Sequence, residues 1–179
     1  MESITIHDKK FSLSIPADQI VAKVDQMAVR LNKDLAGKEV VFVAVLNGSF
    51  IFASDLLKRI RLSCRISFVK LASYEGIENT GEIKELIGIN EVLRDKTVVL
   101  IEDIVDSGNT LNSLIIQIAS FQPAELKIVT LLFKPDAYEY RHRIDYTGFR
   151  IPNRFVVGYG LDYEGLGRNL DGIYTVVEG

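Results

Sequence analysis

The fold is decided by one stretch of the chain, Val98-Val99-Leu100-Ile101-Glu102-Asp103-Ile104-Val105-Asp106-Ser107-Gly108-Asn109-Thr110. Its first four residues are apolar, which predicts a short strand buried in a parallel sheet. After the polar turn, helical spacing predicts an amphipathic helix whose core face is formed by Leu111, Leu114, Ile115, Ile118 and Ala119. A turn between strand and helix leaves free backbone N–H groups at the helix N-terminus, which favours a phosphate site.

Three carboxylates in the same stretch, Glu102, Asp103 and Asp106, restrict what this site can bind. Because carboxylates repel phosphate, they do not all point at it. The pattern fits a ligand that has a phosphate at one end and hydroxyl donors or a cation at the other, as a sugar phosphate does. The plainer alternative is an ordinary turn in which Asp106 or Ser107 only caps the helix.

The Glu102-Asp103 pair at a strand end, followed by Asp106-Ser107-Gly108-Asn109-Thr110, resembles the phosphoribosyl-pyrophosphate (PRPP) signature of type I phosphoribosyltransferases. Further segments resemble one branch of that family, the hypoxanthine-guanine phosphoribosyltransferases, over most of the chain. The resemblance implies an α/β fold with a central parallel sheet of about five strands flanked by helices. It also implies a small hood of N- and C-terminal segments, with the site at the carboxyl edge of the strands.

Length and composition predict one globular domain over residues 1–179, long enough to bury a core. The 47% hydrophobic and 25% charged residues are typical of a soluble protein. The longest apolar run, Val40 to Leu46, is far shorter than the roughly 18 residues that predict a membrane span. The N-terminus is acidic and alternating, unlike a signal peptide, so we expect no membrane partner.

Cysteine count and charge limit the compartment and the partners. A single cysteine, Cys64, allows no intramolecular disulfide and fits a reducing cytoplasm. The net charge of −3 and the isoelectric point near 5.5 argue against a surface that coats nucleic acid. We therefore expect a cytoplasmic protein without a nucleic-acid partner.

Hydrophobic patterns predict the remaining elements. Loose alternation predicts a hairpin over Ile4 to Ile15, and helical spacing predicts a helix from Pro16 to Gly37. Apolar runs predict strands over Val40 to Leu46, Cys64 to Ala72, Leu126 to Phe133 and Leu170 to Val177. The charged, aromatic segment from Ala137 to Arg150 is interpreted as a surface or subunit contact.

Two loops after predicted strands are candidates for pyrophosphate binding. Asn47-Gly48 follows a buried strand, where open α/β sheets bind ligands, although a plain turn is the alternative. The resemblance implies a non-proline cis peptide at Leu46-Asn47, and relatives carry lysine at the position of Asn47, so here only a backbone contact is implied. Ser73-Tyr74 opens a polar segment that is either an idle surface loop or, by resemblance, a lid that closes over pyrophosphate.

The C-terminal third supplies the candidates for a base pocket. Lys134 follows a predicted strand and by itself suggests only a solvated charge, whereas the resemblance implies a donor to the 6-oxo group of a purine. The segment Ile151 to Tyr163 by itself predicts a strand with Phe155 in the core. By resemblance, Phe155 stacks on the base, and the base pocket is completed by Val156 and Asp162. Arg168 falls where the family places a pyrophosphate-binding arginine.

The resemblance implies a reaction, a metal and partners. PRPP and a 6-oxopurine give a nucleotide and pyrophosphate, with Mg²⁺ held at Glu102, Asp103 and Asp162. The 5-phosphate binds over Asp106 to Thr110, and Asp106 accepts a proton from the purine. The family habit implies a homo-oligomer, a dimer or a tetramer.

Three other functions are alternatives for this sequence. A xanthine-guanine transferase differs only at the 2-position pocket, which one sequence does not resolve. A regulator on the same fold would sense nucleotides and bind RNA or DNA, but it needs none of Asp106, Lys134 and Phe155. A classical dinucleotide-binding domain is rejected, because no Gly-x-Gly-x-x-Gly follows a predicted strand and no Gly-Lys-[Ser/Thr] loop occurs.

Overall fold

The computed structural model describes residues 3–73 and 83–177, and within these ranges the chain forms three helices and ten strands. The helices are α1 (Ala17–Asp34), α2 (Phe50–Leu57) and α3 (Asn109–Ser120). The strands are β1 (Ser3–Ile6), β2 (Lys9–Ile15), β3 (Val40–Val45), β4 (Cys64–Ser73), β5 (Ile83–Ile87), β6 (Thr97–Val105), β7 (Glu125–Phe133), β8 (Tyr146–Arg150), β9 (Val156–Val157) and β10 (Ile173–Val176).

The larger sheet has the strand order β5-β4-β3-β6-β7-β8. Five of these strands, β4, β3, β6, β7 and β8, pair in parallel, and β5 is added antiparallel at one edge. The predicted parallel sheet of about five strands is confirmed. Because β6 pairs with β3 on one side and with β7 on the other, its carboxyl end lies in the middle of the ligand-binding edge.

Both faces of the central strands are covered, which explains their continuous apolar runs. Along β3, Phe42 and Ala44 pack into the core beneath α1 and α2, whereas Val41 and Val43 pack into the core beneath α3. Alternation along the strand therefore divides one apolar run between two cores.

The hood is a four-stranded antiparallel sheet with the order β1-β2-β10-β9. Its small core is formed by Ile6, Phe11, Val157 and Tyr174. The predicted hairpin and final strand are confirmed, and they join through β10, which pairs with β2 along one edge and with β9 along the other.

Three details differ from the expectations. Pro16 is the N-cap of α1 and not its first residue, and the helix ends before Gly37. The segment predicted as a surface or subunit contact contains β8, which extends the parallel sheet. Ala119 is exposed, so Ile118 is the last residue of α3 whose side chain is buried in the core.

In the part of the chain that the structure describes, no helix is both long and apolar enough to cross a membrane.

Two isoleucines of α3 test its orientation on the sheet. Ile118 is fully buried, whereas Ile116, two residues earlier, is 64% exposed. We expect Ile118→Ala to lower the free energy of unfolding by about 2–5 kcal/mol, because it removes buried methylene groups and leaves a cavity. The matched change Ile116→Ala should alter it by less than about 0.5 kcal/mol. Urea unfolding of both variants measures the difference, and equal losses would contradict this orientation.

Candidate active site

The turn between β6 and α3 forms one wall of the site. Gly108 is the N-cap of α3, has a left-handed backbone (φ 91°) and makes no side-chain capping hydrogen bond. Its carbonyl accepts a hydrogen bond from the Asn112 N–H at 2.8 Å. Gly108, and not Asp106 or Ser107, is the N-cap residue, but the Ser107 hydroxyl accepts a long hydrogen bond from the Asn109 N–H at 3.5 Å. The capping alternative therefore holds in part for Ser107, and the helix N-terminus still favours an anion.

A cavity of about 350 Å³ opens in front of this turn. It is lined by the predicted residues Gly48, Glu102, Asp103, Asp106, Ser107, Gly108, Asn109 and Thr110, together with Val45, Leu46, Leu71, Ile104, Val105 and Leu111. The carboxyl ends of β3 and β6 thus bring an acidic edge and a turn of small residues into one space.

A second cavity of about 300 Å³ lies beside the first. It is lined by Lys134, Phe155, Val156, Asp162 and Arg168, by Leu161, and by four residues that also line the first cavity, Gly48, Asp103, Ile104 and Asp106. The two cavities therefore share a wall that includes two carboxylates. A ligand with two chemically different ends fits this arrangement.

The adjacent carboxyls do not behave as two free charges. Burial raises the pKa of Glu102 well above its usual value, and the neighbouring Asp103 raises it further. Burial also raises the pKa of Asp103 to about 6, whereas backbone N–H groups and the charge of Arg168 act in the opposite direction. Burial thus favours the neutral form of each carboxyl, which reduces the repulsion of an anionic ligand.

Glycines allow the loops of the site to approach closely. A Cβ on Gly48 would overlap the carboxylate of Asp103, and a Cβ on Gly160 would overlap the carbonyl oxygen of Gly48. The peptide bond between Leu46 and Asn47 is cis, as the resemblance implied. The loop after β3 therefore lies in contact with both β6 and the segment that follows β9.

An ion pair crosses the second cavity. The ammonium group of Lys134 donates to a carboxylate oxygen of Asp106 at 2.5 Å. Lys134 is buried, whereas about half of the Asp106 side chain is exposed. Lys134 is thus not a solvated charge, since its head group is directed at the shared wall of the two cavities.

Phe155 is the aromatic residue of the second cavity, and it is 43% exposed. The interpretation of Phe155 as a core residue is therefore wrong. Its ring contacts the ring of Phe11 at 6.3 Å between centroids and the ring of Tyr163 at 5.7 Å. The hood thus supports the ring from one side and leaves much of it accessible for stacking.

Asp162 and Arg168 form the outer end of the second cavity. The Arg168 guanidinium donates to Asp162 at 2.6 Å and to the carbonyl oxygen of Gly160 at 2.7 Å. Asp162 also accepts a hydrogen bond from the N–H of Gly165 at 2.7 Å. Among residues 3–73 and 83–177, no three acidic, histidine or cysteine side chains form a cluster that could hold a metal ion.

One predicted residue lines neither cavity, and the side chains of two others lie outside the described part of the structure. Asn47 forms the cis peptide but does not line either space. Ser73 is the last residue of β4, and Tyr74 lies outside the described residues. The proposed lid contacts therefore stay predictions.

The sequence interpretation missed several residues of the site. Ile104 and Leu161 line the second cavity as apolar neighbours of predicted carboxylates. Tyr138 and Tyr140, in the segment after β7, lie against the turn before α3. A sequence signal existed for Ile104, between Asp103 and Asp106, and for Leu161, next to Asp162, but not for the two tyrosines.

Comparison with known proteins agrees with this geometry. The model of the phosphoribosyl transferase domain matches residues 16–164. A hypoxanthine-guanine phosphoribosyltransferase of Staphylococcus aureus is 42% identical over 152 residues, which are 84% of this chain and 85% of that protein. A hypoxanthine phosphoribosyltransferase of Escherichia coli is 37% identical over 167 residues, which are 91% of this chain and 93% of that protein.

A solved structure extends the comparison to three dimensions. A crystal structure of a hypoxanthine phosphoribosyltransferase from Staphylococcus aureus superposes with a TM-score of 0.87 at 39% identity, over 93% of this chain and 91% of that one. The fold is that of a type I phosphoribosyltransferase. Within this class, the chain belongs to the hypoxanthine-guanine phosphoribosyltransferase family.

The contact between Gly48 and Asp103 generates a prediction. In Gly48→Ala the added methyl group displaces the Asp103 carboxylate, which is the end of a movable side chain, so the fold should survive. A displacement of about 1 Å at a reacting centre is expected to lower activity about 10²-fold. The control Gly37→Ala places its methyl in open space, and because the φ of 77° is strained for alanine it should lose some stability but keep full activity. Steady-state rates with thermal unfolding measure both, and wild-type activity in Gly48→Ala would contradict the role of this contact.

Proposed function

We propose that this protein transfers the phosphoribosyl group of PRPP to N9 of a 6-oxopurine, hypoxanthine and guanine, and releases pyrophosphate. The observation that carries the proposal is the pair of adjoining cavities that share Asp103 and Asp106. One cavity has a turn of small residues at a helix N-terminus, and the other has an aromatic ring and a buried ammonium group. These are the complements of a sugar phosphate and of a purine.

The first cavity suits the sugar phosphate. Backbone N–H groups and hydroxyls of Ser107 to Thr110 would bind the 5-phosphate, because the positive end of the α3 dipole favours an anion there. Glu102 and Asp103 would accept hydrogen bonds from the ribose hydroxyls. The same carboxylates would stabilise the positive charge that develops on the ribose as the bond to pyrophosphate breaks.

Mg²⁺ is the cofactor we propose. The described residues offer no cluster of three ligands, but Mg²⁺ commonly binds one or two carboxylates together with substrate phosphates and water. Glu102 and Asp103 fit that requirement, whereas Asp162 would have to leave Arg168 first. When bound, the ion neutralises pyrophosphate and makes it a better leaving group.

Asp106 and Lys134 would act on the base. In the absence of a base they neutralise each other across 2.5 Å. A 6-oxopurine offers a proton at N7 to the carboxylate and an oxygen at C6 to the ammonium group, so it would replace both ends of this ion pair. Asp106 then holds the N7 proton while N9 attacks the ribose. A 6-amino base would direct a donor at Lys134 and leave it unpaired.

The remaining contacts would fix the plane of the purine. Phe155 would stack on it, a contact of about 1–3 kcal/mol by analogy with base stacking on aromatic side chains. Val156 and Asp162 would border its edge, and Arg168 would bind pyrophosphate after release from Asp162. Backbone groups of the loop at Asn47 and Gly48, with Ser73 and Tyr74, would complete the pyrophosphate site.

We further propose that the protein is a homo-oligomer. Ile66 and Phe68 of β4 and Ile87 of β5 are exposed. Ile66 and Phe68 pair with Phe42 and Ala44, so they lie on the sheet face whose neighbouring part α1 and α2 cover. An apolar sheet face that helices leave uncovered favours burial against a second copy of the chain.

Incubation with PRPP, Mg²⁺ and each of hypoxanthine, guanine, xanthine and adenine tests the reaction. We expect nucleotide formation with the 6-oxopurines hypoxanthine and guanine and none with adenine. Turnover with xanthine and guanine but not hypoxanthine would favour a xanthine-guanine transferase. PRPP binding without turnover of any base would contradict the proposed enzymatic function and favour a nucleotide-sensing regulator.

The proton acceptor is tested by Asp106→Asn. This variant should bind PRPP as the wild type does but lose about 10²–10⁴-fold in turnover, because the amide accepts no proton. Asp136→Asn, the same change on the exposed turn beside Lys134, is the control and should keep its activity. Pre-steady-state nucleotide formation together with PRPP titration separates the two effects. An Asp106→Asn enzyme with wild-type turnover would rule the role out.

The oligomer is tested by Phe68→Glu. A charge on the exposed sheet face should dissociate the assembly without unfolding the subunit, because Phe68 lies outside the buried core. Analytical ultracentrifugation measures the mass of wild type and variant. A monomeric wild type, or a variant of unchanged mass, would contradict the proposed interface.

A further inference from the structure

Three aromatic residues between β7 and β8, Tyr138, Tyr140 and His142, form what we call the aromatic bracket. We propose that the bracket presets the turn before α3 for the 5-phosphate of PRPP, so that its residues are positioning residues for substrate affinity. This inference deepens the proposed function and rests on it.

The first contact is steric. The Tyr138 ring occupies the space in which Gly108 would carry a Cβ. The ring is itself held by Phe133, edge to face at 5.4 Å between centroids. Gly108 has a left-handed backbone, which glycine adopts without strain, and the ring closes off its outer side. Tyr138 therefore supports the backbone of the turn from behind.

The second contact is polar and involves the first helical residue. The Tyr140 hydroxyl donates to the Asn109 side-chain oxygen at 2.7 Å. The Tyr140 ring stacks on His142 with an interplanar angle of 15° and 6.0 Å between centroids. His142 in turn hydrogen-bonds the Asn112 side chain, one turn further along α3, at 2.8 Å. Tyr140 is thus fixed from two sides while it holds Asn109.

The third contact joins the two backbones. The N–H of Glu139 donates to the carbonyl oxygen of Ser107 at 3.1 Å. Residues 107, 108 and 109 are therefore each contacted by one of the three consecutive residues 138 to 140. These three contacts, in register along the two segments, fix the backbone path of the turn and not only one side chain.

The bracket acts from outside the binding space. Neither Tyr138 nor Tyr140 lines the cavity in front of the turn. Gly108 has no side chain with which to cap α3, and the Ser107 hydroxyl accepts from the Asn109 N–H only at a long 3.5 Å, so the geometry of the turn gains from support elsewhere. A turn that is already ordered loses less conformational entropy when an anion binds, and preorganisation of this kind raises affinity. The bracket is expected to strengthen binding of the phosphate end of PRPP and to leave the chemical step unchanged.

The test compares Tyr140→Phe and Tyr140→Ala with Tyr146→Phe. Tyr140→Phe removes the bond to Asn109 and keeps the stacking on His142, whereas Tyr140→Ala removes both. Tyr146→Phe is the matched control, because its hydroxyl also donates to a side chain, Asp34 at 2.9 Å, but contacts no residue of the turn. Calorimetry with ribose 5-phosphate reports on the phosphate turn, and inorganic pyrophosphate reports on the other end of the site.

We expect Tyr140→Phe to weaken ribose 5-phosphate binding by up to about 5-fold, because the free energy of one neutral hydrogen bond is the most that ordering the turn can cost on binding, and Tyr140→Ala to weaken it further. The KM for PRPP should rise in parallel. Because the bracket affects the bound ground state and the transition state equally, kcat and the KM for the base should stay within about 2-fold of wild type. Pyrophosphate binding and the Tyr146→Phe variant should match wild type.

Unchanged ribose 5-phosphate affinity in both Tyr140 variants would contradict the positioning role of the bracket, whatever the turnover of the variants. Equal weakening of pyrophosphate binding would also overturn it, since that indicates a general loss of structure. The proposed function is judged separately by turnover of the wild type. A wild type that turns over no base, while ribose 5-phosphate affinity still depends on Tyr140, would refute the function and leave the positioning role intact.

Discussion

The pairing of β6 between β3 and β7 is the constraint on which the rest of the structure depends. Parallel pairing on both sides aligns the carboxyl ends of three strands, and helices on both faces cover these central strands away from that edge. Polar groups of the central strands are therefore concentrated at one place. Glu102 and Asp103 at the end of β6, Gly48 after β3 and Lys134 after β7 converge there because their strands end side by side.

Charge at this edge is balanced within the protein. Asp106 is paired with Lys134, Asp162 is paired with Arg168, and burial raises the pKa values of Glu102 and Asp103, which favours their neutral forms. Each of these groups is therefore stable without a ligand. When a substrate with both anionic and hydrogen-bonding groups binds, each of these side chains exchanges its protein partner for a substrate group. This exchange costs less free energy than leaving a buried charge without a partner. The same side chains serve stability and binding.

Several loops meet at the edge only because small residues and aromatic rings fit together there. Gly48 makes room for the Asp103 carboxylate, and Gly160 lies against the carbonyl oxygen of Gly48. On the other side of the turn, Tyr138 covers Gly108 and Tyr140 holds Asn109. The hood contributes Phe155, supported by Phe11 and Tyr163. The site is thus assembled from segments far apart in the chain, each fixed by contacts behind the cavity.

The sequence by itself determined the parallel sheet, the hairpin of the hood and the position of the acidic pair, because continuous apolar runs, alternation and helical spacing are local properties of the chain. It also indicated the PRPP-like turn, since strand, carboxylates, small residues and helix are adjacent there. Only the tertiary structure decided that Lys134 is buried against Asp106, that Phe155 is accessible, and that β8 and the aromatic bracket arise from a segment interpreted as surface. These outcomes depend on contacts between distant segments, which no local pattern encodes.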